Sequence, residues 1–175
     1  MKSLIVVFSY HHRNTEKIAQ VFVRELSAQR VSPLQFDPAE VQKYDLVGFG
    51  SGIDSDKHYL PLLNFTEKLL LVVGKNAFIF STCGNPFDEQ KYAAKCHSAL
   101  REKLVSKGYT IADEFICKGF NTNVFFKYFG GINKGKPDAQ DLKSGKFCCE
   151  IKEILERIKY LRISLPKSVL GVKWG

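Results

Sequence analysis

Apolar residues in this chain gather in short unbroken runs, and between the runs they recur every three or four positions. Residues 3–8, Ser-Leu-Ile-Val-Val-Phe, form a β-branched run of strand length that suits a parallel strand covered on both faces. From about Glu16, the residues Ile18, Ala19, Phe22, Val23 and Leu26 fall at helical spacing, with Glu16, Lys17, Arg24 and Glu25 on the other side. The alternation then repeats. A second strand is predicted over residues 31–36, at the edge of the sheet because Pro33 lacks an N–H. A third covers 46–50 and is followed by a helix over about 59–72; a fourth covers 77–80 and is followed by a helix over about 88–107, stopped by Gly108. The fifth strand covers 109–117. Asp138 caps a last helix carrying Leu142, Phe147, Ile151, Ile154, Leu155, Ile158 and Leu161. Five strands alternating with helices predict a parallel sheet with helices on both faces, joined by right-handed crossovers.

Ligands of such sheets bind beyond the carboxyl ends of the strands, and three polar turns lie there. The first, Ser9-Tyr10-His11-His12-Arg13-Asn14-Thr15, joins strand to helix, where unpaired backbone N–H groups and the helix dipole favour a phosphate. Ser9, Asn14 and Thr15 add short hydroxyl and amide donors. The second turn runs from Ser51 through Gly52, Ile53, Asp54, Ser55, Asp56, Lys57 and His58 to Tyr59, its glycine placed where backbone freedom is expected. The third, Ser81-Thr82-Cys83-Gly84-Asn85-Pro86-Phe87, follows the fourth strand. Residues 119–137, aromatic and glycine-rich without periodicity, have the character of a functional loop.

Composition narrows the picture by exclusion. A chain of 175 residues, 45% hydrophobic, supports one domain, expected over residues 1–163 with a C-terminal tail over 164–175. The net charge of +8 is spread over nearly every amphipathic segment among Glu and Asp, with no arginine-rich run, so no nucleic-acid site is expected. No apolar run reaches the roughly eighteen residues of a membrane span and no secretory signal opens the chain, which points to the cytoplasm. Cys83, Cys96, Cys117, Cys148 and Cys149 fit neither a disulfide framework nor a zinc spacing and read as reduced thiols. His11 and His12 diverge in a turn with no carboxylate or cysteine to complete a metal site. A Ser-His-Asp hydrolase is unsupported, because there is no G-x-S-x-G elbow.

Taken together, the three turns resemble those of flavodoxins: an S/T-x-x-x-x-N-T phosphate loop as Ser9 to Thr15, a Gly-Ser-Gly loop after the third strand, and a Phe-Ser-Thr-x-Gly turn as Phe80 to Gly84. The resemblance covers the chain to about Arg162. It implies a flavodoxin-like three-layer sandwich, a five-stranded parallel sheet of order 2-1-3-4-5, and a noncovalent FMN. Carried over by position, Ser9, His11, His12, Arg13, Asn14 and Thr15 would surround the phosphate. Ser51, Gly52, Ile53, Asp54, Ser55, Asp56 and Tyr59 would flank one side of the ring, and Ser81, Thr82, Cys83, Gly84 and Phe87 the other. No residue is expected to be catalytic and no metal is expected.

The chain departs from the pattern at three points. Arg13 stands where many flavodoxins have glycine, and the second turn carries acidic residues where many place a stacking aromatic, leaving Tyr59, Phe87, Tyr128 or Phe129 for that role. The basic balance also differs from acidic ferredoxin-replacing flavodoxins. The expected function is an FMN-dependent electron carrier working with redox partner proteins. The alternatives are a flavodoxin-like NAD(P)H-dependent FMN reductase or quinone oxidoreductase, and an interaction module that has lost its cofactor.

Overall fold

In the computed structural model, the residues described are 2–10, 13–84 and 89–118, together with Glu156 and Tyr160. Elements follow one another as β1 (Ser3–Phe8), α1 (Asn14–Leu26), β2 (Gln29–Val31), a 3-10 turn (Pro38–Lys43), β3 (Leu46–Asp54), β4 (Lys57–His58), α2 (Leu60–Glu67), β5 (Lys75–Cys83), α3 (Glu89–Ser106) and β6 (Tyr109–Lys118). The main sheet is parallel, in the order β2-β1-β3-β5-β6, with β4 attached to β3 as an antiparallel extension. Counting only the main strands, this is the expected 2-1-3-4-5 order. The last predicted helix lies almost wholly outside the described residues, although Glu156 and Tyr160 within it are helical and exposed.

Successive residues of a strand point to opposite faces, and the two faces carry separate cores. Leu4, Val6, Val47, Phe49, Ala77 and Ile79 pack with the side chains of α2 and α3. On the other face, Ile5, Val7, Phe78, Phe80 and Phe115 close over Ile18, Ala19 and Phe22 of α1. Gly48 and Gly50 belong to this second face. A Cβ on Gly50 would sit 2.2 Å from the Phe80 ring and one on Gly48 2.4 Å from Phe78, so the two rings lie directly on β3. Phe22 completes the cluster, with ring centroids 4.8 Å from Phe78 and 5.2 Å from Phe80.

Three boundaries differ from expectation. The second strand is Gln29–Val31 rather than 31–36; it does lie at the edge of the sheet, but Pro33 stands outside it, and Phe36 packs on the core from the following turn, where its amide bonds to Ser32 O. α2 stops at Glu67, and the leucine run after it is not a helical face. Val72 N bonds to Lys107 O at the end of α3, leaving Leu71 and Val73 exposed. Finally, β3 continues through Ser51 to Asp54 and folds back as a hairpin, because Ser55 (φ 49°) and Asp56 (φ 61°) form the two left-handed positions of a two-residue turn.

Candidate functional site

The three turns converge, since β1, β3 and β5 are neighbouring parallel strands whose carboxyl ends share one edge of the sheet. At the first turn, Arg13 is the residue before α1 and adopts a left-handed conformation (φ 51°, ψ 29°), and among the described residues its side chain makes no capping hydrogen bond to the helix. Its first-turn N–H groups therefore keep the character of an anion site. Arg13 itself turns aside: its side chain is 82% exposed and its Nε lies 3.6 Å from Glu16. The left-handed backbone explains physically why glycine suits this position. Asn14 and Thr15 are buried, and the Thr15 hydroxyl lies 2.8 Å from that of Thr82, tying the first turn to the third. Thr82 faces α1 because it shares strand parity with Phe78 and Phe80. Ser9 lines a cleft of about 530 Å³ on the β2 side of β1, which shares no residue with the other two turns. His11 and His12 lie outside the described residues.

In the second turn, the Ser51 side chain is fully buried and bonded to His58 Nδ1 at 2.8 Å. Gly52 is crowded by a side chain rather than set in the backbone conformation expected of it. A Cβ there would lie 2.8 Å from the Tyr59 ring, whereas the positive backbone angles fall on Ser55 and Asp56. Tyr59 also stands edge-on to Phe8 at 5.7 Å and tilted to Tyr10 at 6.4 Å, which builds an aromatic rim around the edge. Burial, then the nearby Asp54 carboxylate, pushes the Tyr59 phenol upward, so it stays neutral. Ile53 packs on a small cluster of Cys83, Ala93 and Ile116. Asp54 is exposed beside Lys57, its partner in the hairpin register. Asp56 reaches α3, accepting hydrogen bonds from the Tyr92 hydroxyl at 2.9 Å and Lys95 Nζ at 2.6 Å; the Lys95 bond, then the Tyr92 bond, lowers its carboxyl.

The third turn begins with Ser81, fully buried and bonded to His97 Nε2 at 2.7 Å. Cys83 is buried, Gly84 is half-buried, and Phe87 falls outside the described residues, as do Tyr128 and Phe129. The hydroxyls of Ser51 and Ser81 thus face two histidines, and what these serines offer toward the open edge is their backbone.

Sequence reasoning overlooked those histidines. His58 and His97 are both buried, with ring centroids 5.0 Å apart, and His97 Nδ1 lies 3.1 Å from Glu114 Oε2. Arg101 completes the group by a two-pronged contact with the Glu114 carboxylate, its Nη2 2.6 Å from Oε2. Burial alone would raise the Glu114 carboxyl, but hydrogen bonds from His97 and Arg101 outweigh it and hold the group at about 2. Burial, and then His97, depresses His58 well below the ordinary 6.5. One signal was readable in the sequence: His97 lies on the stripe Ala93, Cys96, Leu100 and Leu104, which is the buried face of α3.

A parallel sheet with an uncapped helix at its switch point and two further turns at the same edge defines an α/β protein built to hold an anionic ligand. The chain belongs to the flavodoxin domain family, whose model matches residues 5–140. It is 45% identical over 146 residues to an uncharacterised protein of Methanocaldococcus jannaschii, covering 83% of this chain and 94% of that one. Among solved structures it resembles oxidised flavodoxin 2 from Bacillus cereus, with TM-score 0.58 and 19% identity over 67% of this chain and 84% of that one. A flavodoxin from the domain Archaea gives TM-score 0.53 and 18% identity over 73% and 90% of the two chains. A Streptococcus pneumoniae flavodoxin gives 0.53 and 18% over 70% and 88%. These likenesses are of fold.

The edge also fits a flavin nucleotide on its own chemistry. An uncapped helix start supplies donors for a phosphate, and the Tyr10–Tyr59 rim and the turn backbones supply apolar surface and amides for a ring. Among the described residues, no group of three or more His, Cys, Asp or Glu is placed to hold a metal ion.

Proposed function

We propose that this protein is an FMN-dependent electron carrier. The observation that carries the reading is the convergence of the uncapped α1 start with the ends of β3 and β5 at one sheet edge. Bound FMN supplies the electron-accepting and electron-donating chemistry. On this reading the backbone N–H groups of the first turn of α1 hold the phosphate, with Asn14 and Thr15 beside them. The Thr15–Thr82 hydrogen bond fixes the distance between phosphate turn and ring turn. The β3–β4 hairpin, tied to α3 through Asp56, forms one wall, and Tyr10 and Tyr59 exclude water from its rim. His11, His12 and Phe87 belong to the same expectation. Redox partner proteins would meet a basic chain, which favours acidic docking surfaces.

The test is titration of flavin-free protein with FMN, followed by stepwise reduction. A carrier takes up FMN and exchanges electrons with partner proteins; rapid turnover of NAD(P)H with a quinone would instead assign the flavodoxin-like reductase. Absence of FMN binding would refute both.

A further inference from the structure

The polar side chains beneath the β3–β4 hairpin have so far been given no role in the site. Ser51 and Ser81 are register partners in β3 and β5, buried side by side on the face that α3 covers. The Ser51 hydroxyl lies 2.8 Å from Gly52 O, accepts from Tyr59 N–H at 3.2 Å, and lies 2.8 Å from His58 Nδ1. A hydroxyl has one proton to give and two lone pairs to receive with. All three contacts are satisfied together only when Ser51 donates to Gly52 O and accepts from both Tyr59 N–H and His58 Nδ1–H. That arrangement fixes a proton on His58 Nδ1. Its Nε2 is buried with no hydrogen-bond partner among the described residues, so a proton placed there would be a buried donor with no acceptor.

His97, stacked beside it with ring planes 32° apart, is differently supplied. Its Nδ1 faces the Glu114 carboxylate and its Nε2 faces the Ser81 hydroxyl, which can donate to a bare nitrogen or accept from a protonated one. His97 is therefore satisfied in both charge states and His58 in only one. Two imidazolium rings 5.0 Å apart in the core would also repel. The charged and titratable groups around the pair are Glu114 from β6 and Arg101, Tyr92, Lys95 and Cys96 from α3, with Asp56 at the hairpin tip. β3 offers the Ser51 hydroxyl, and β5 the Ser81 hydroxyl with the buried Cys83 thiol two residues further along the same face.

We infer that His58, stacked on the His97 ring and neutral as its Nδ1–H tautomer, is the positioning residue that seats the hairpin on Ser51. A proton forced onto His58 Nε2 would put a buried charge and an acceptor-less donor beneath the hairpin, and the hairpin would loosen from α3 to let water reach it. The candidate ring site would then lose one wall, a consequence that rests on the FMN reading; the seating of the hairpin itself does not.

The experiment is nitrogen-15 NMR of the histidine side chains of the full-length, flavin-free protein from pH 8 downward, with amide exchange of residues 51–59 followed in parallel. His58→Asn keeps a donor at the Nδ1 position and removes the titration. The expected result is a His58 ring fixed as neutral Nδ1–H through the upper part of the range. Hairpin exchange should rise at least tenfold relative to β1 once His58 takes a proton, and that rise should vanish in His58→Asn. An Nε2–H tautomer for His58 or hairpin exchange indifferent to pH would each overturn the inference. Should His58→Asn fail to fold, the wild-type tautomer still decides. Failure of FMN to bind at any pH would refute the functional reading and leave this one standing.

Discussion

Replacing Glu114 with glutamine removes the charge on which Arg101 and His97 converge while keeping the side chain's size and one hydrogen-bond acceptor. The carboxyl is held at about 2 against an ordinary 4.5, and with ~1.4 kcal/mol for each tenfold this is worth about 3 kcal/mol of native stability. The group is largely shielded, its side chain being 19% exposed, so solvent screening removes little of that figure. A folded-state value below the unfolded one means the contribution is complete above 4.5 and disappears as pH falls toward 2. Glu114→Gln should therefore cost about 3 kcal/mol at pH 7 and almost nothing near pH 2. Urea unfolding followed by far-UV circular dichroism, at several pH values between those limits, measures both ends. A deficit of the same size at every pH would refute the electrostatic account and leave only lost packing.

Other consequences follow from single contacts. Gly50→Ala sets a Cβ against the Phe80 ring and should destabilise by ~1–3 kcal/mol in the same unfolding assay, as overpacking of a close-fitted core does. Thr15→Val removes the hydrogen bond to Thr82 and should cost about 1 kcal/mol of stability. It should also weaken FMN in equilibrium titration, and unchanged FMN affinity would detach Thr15 from the phosphate. Arg13→Gly relieves a left-handed residue and loses an exposed ion pair, so stability should stay within ~1 kcal/mol of the parent and FMN affinity should hold. A tenfold loss of affinity would instead give the guanidinium a part in phosphate binding.

Most of the architecture was legible because its signals are local and repeated. The run Leu4 to Phe8 and the stripe Ile18, Ala19, Phe22 each bury the face their spacing announces. Gly108 stops α3 as its position suggests, with φ 89° and the Val72 carbonyl 2.0 Å from where a Cβ would stand. What escaped notice depends on contacts between distant segments. The leucines after Glu67 copy a helix in composition, yet tertiary pairing of Val72 with Lys107 ends α2 early. Strand register sets the Ser51–His58 and Ser81–His97 pairs side by side, and no window of sequence contains both. Asp54 to Lys57 reads as an acidic loop, whereas two left-handed residues close it into a hairpin. Of the site, the order of the three turns along one sheet edge was readable; the inward direction of the serine hydroxyls and the outward turn of Arg13 were not.

The central claim is that the edge formed by β1, β3 and β5 holds FMN. It is tested most directly by adding FMN to flavin-free protein and following flavin absorbance and fluorescence to saturation. The account predicts stoichiometric uptake, a perturbed visible spectrum of the oxidised flavin and quenched fluorescence, all weakened by Asn14→Ala. Free-flavin spectra at every protein concentration would contradict it.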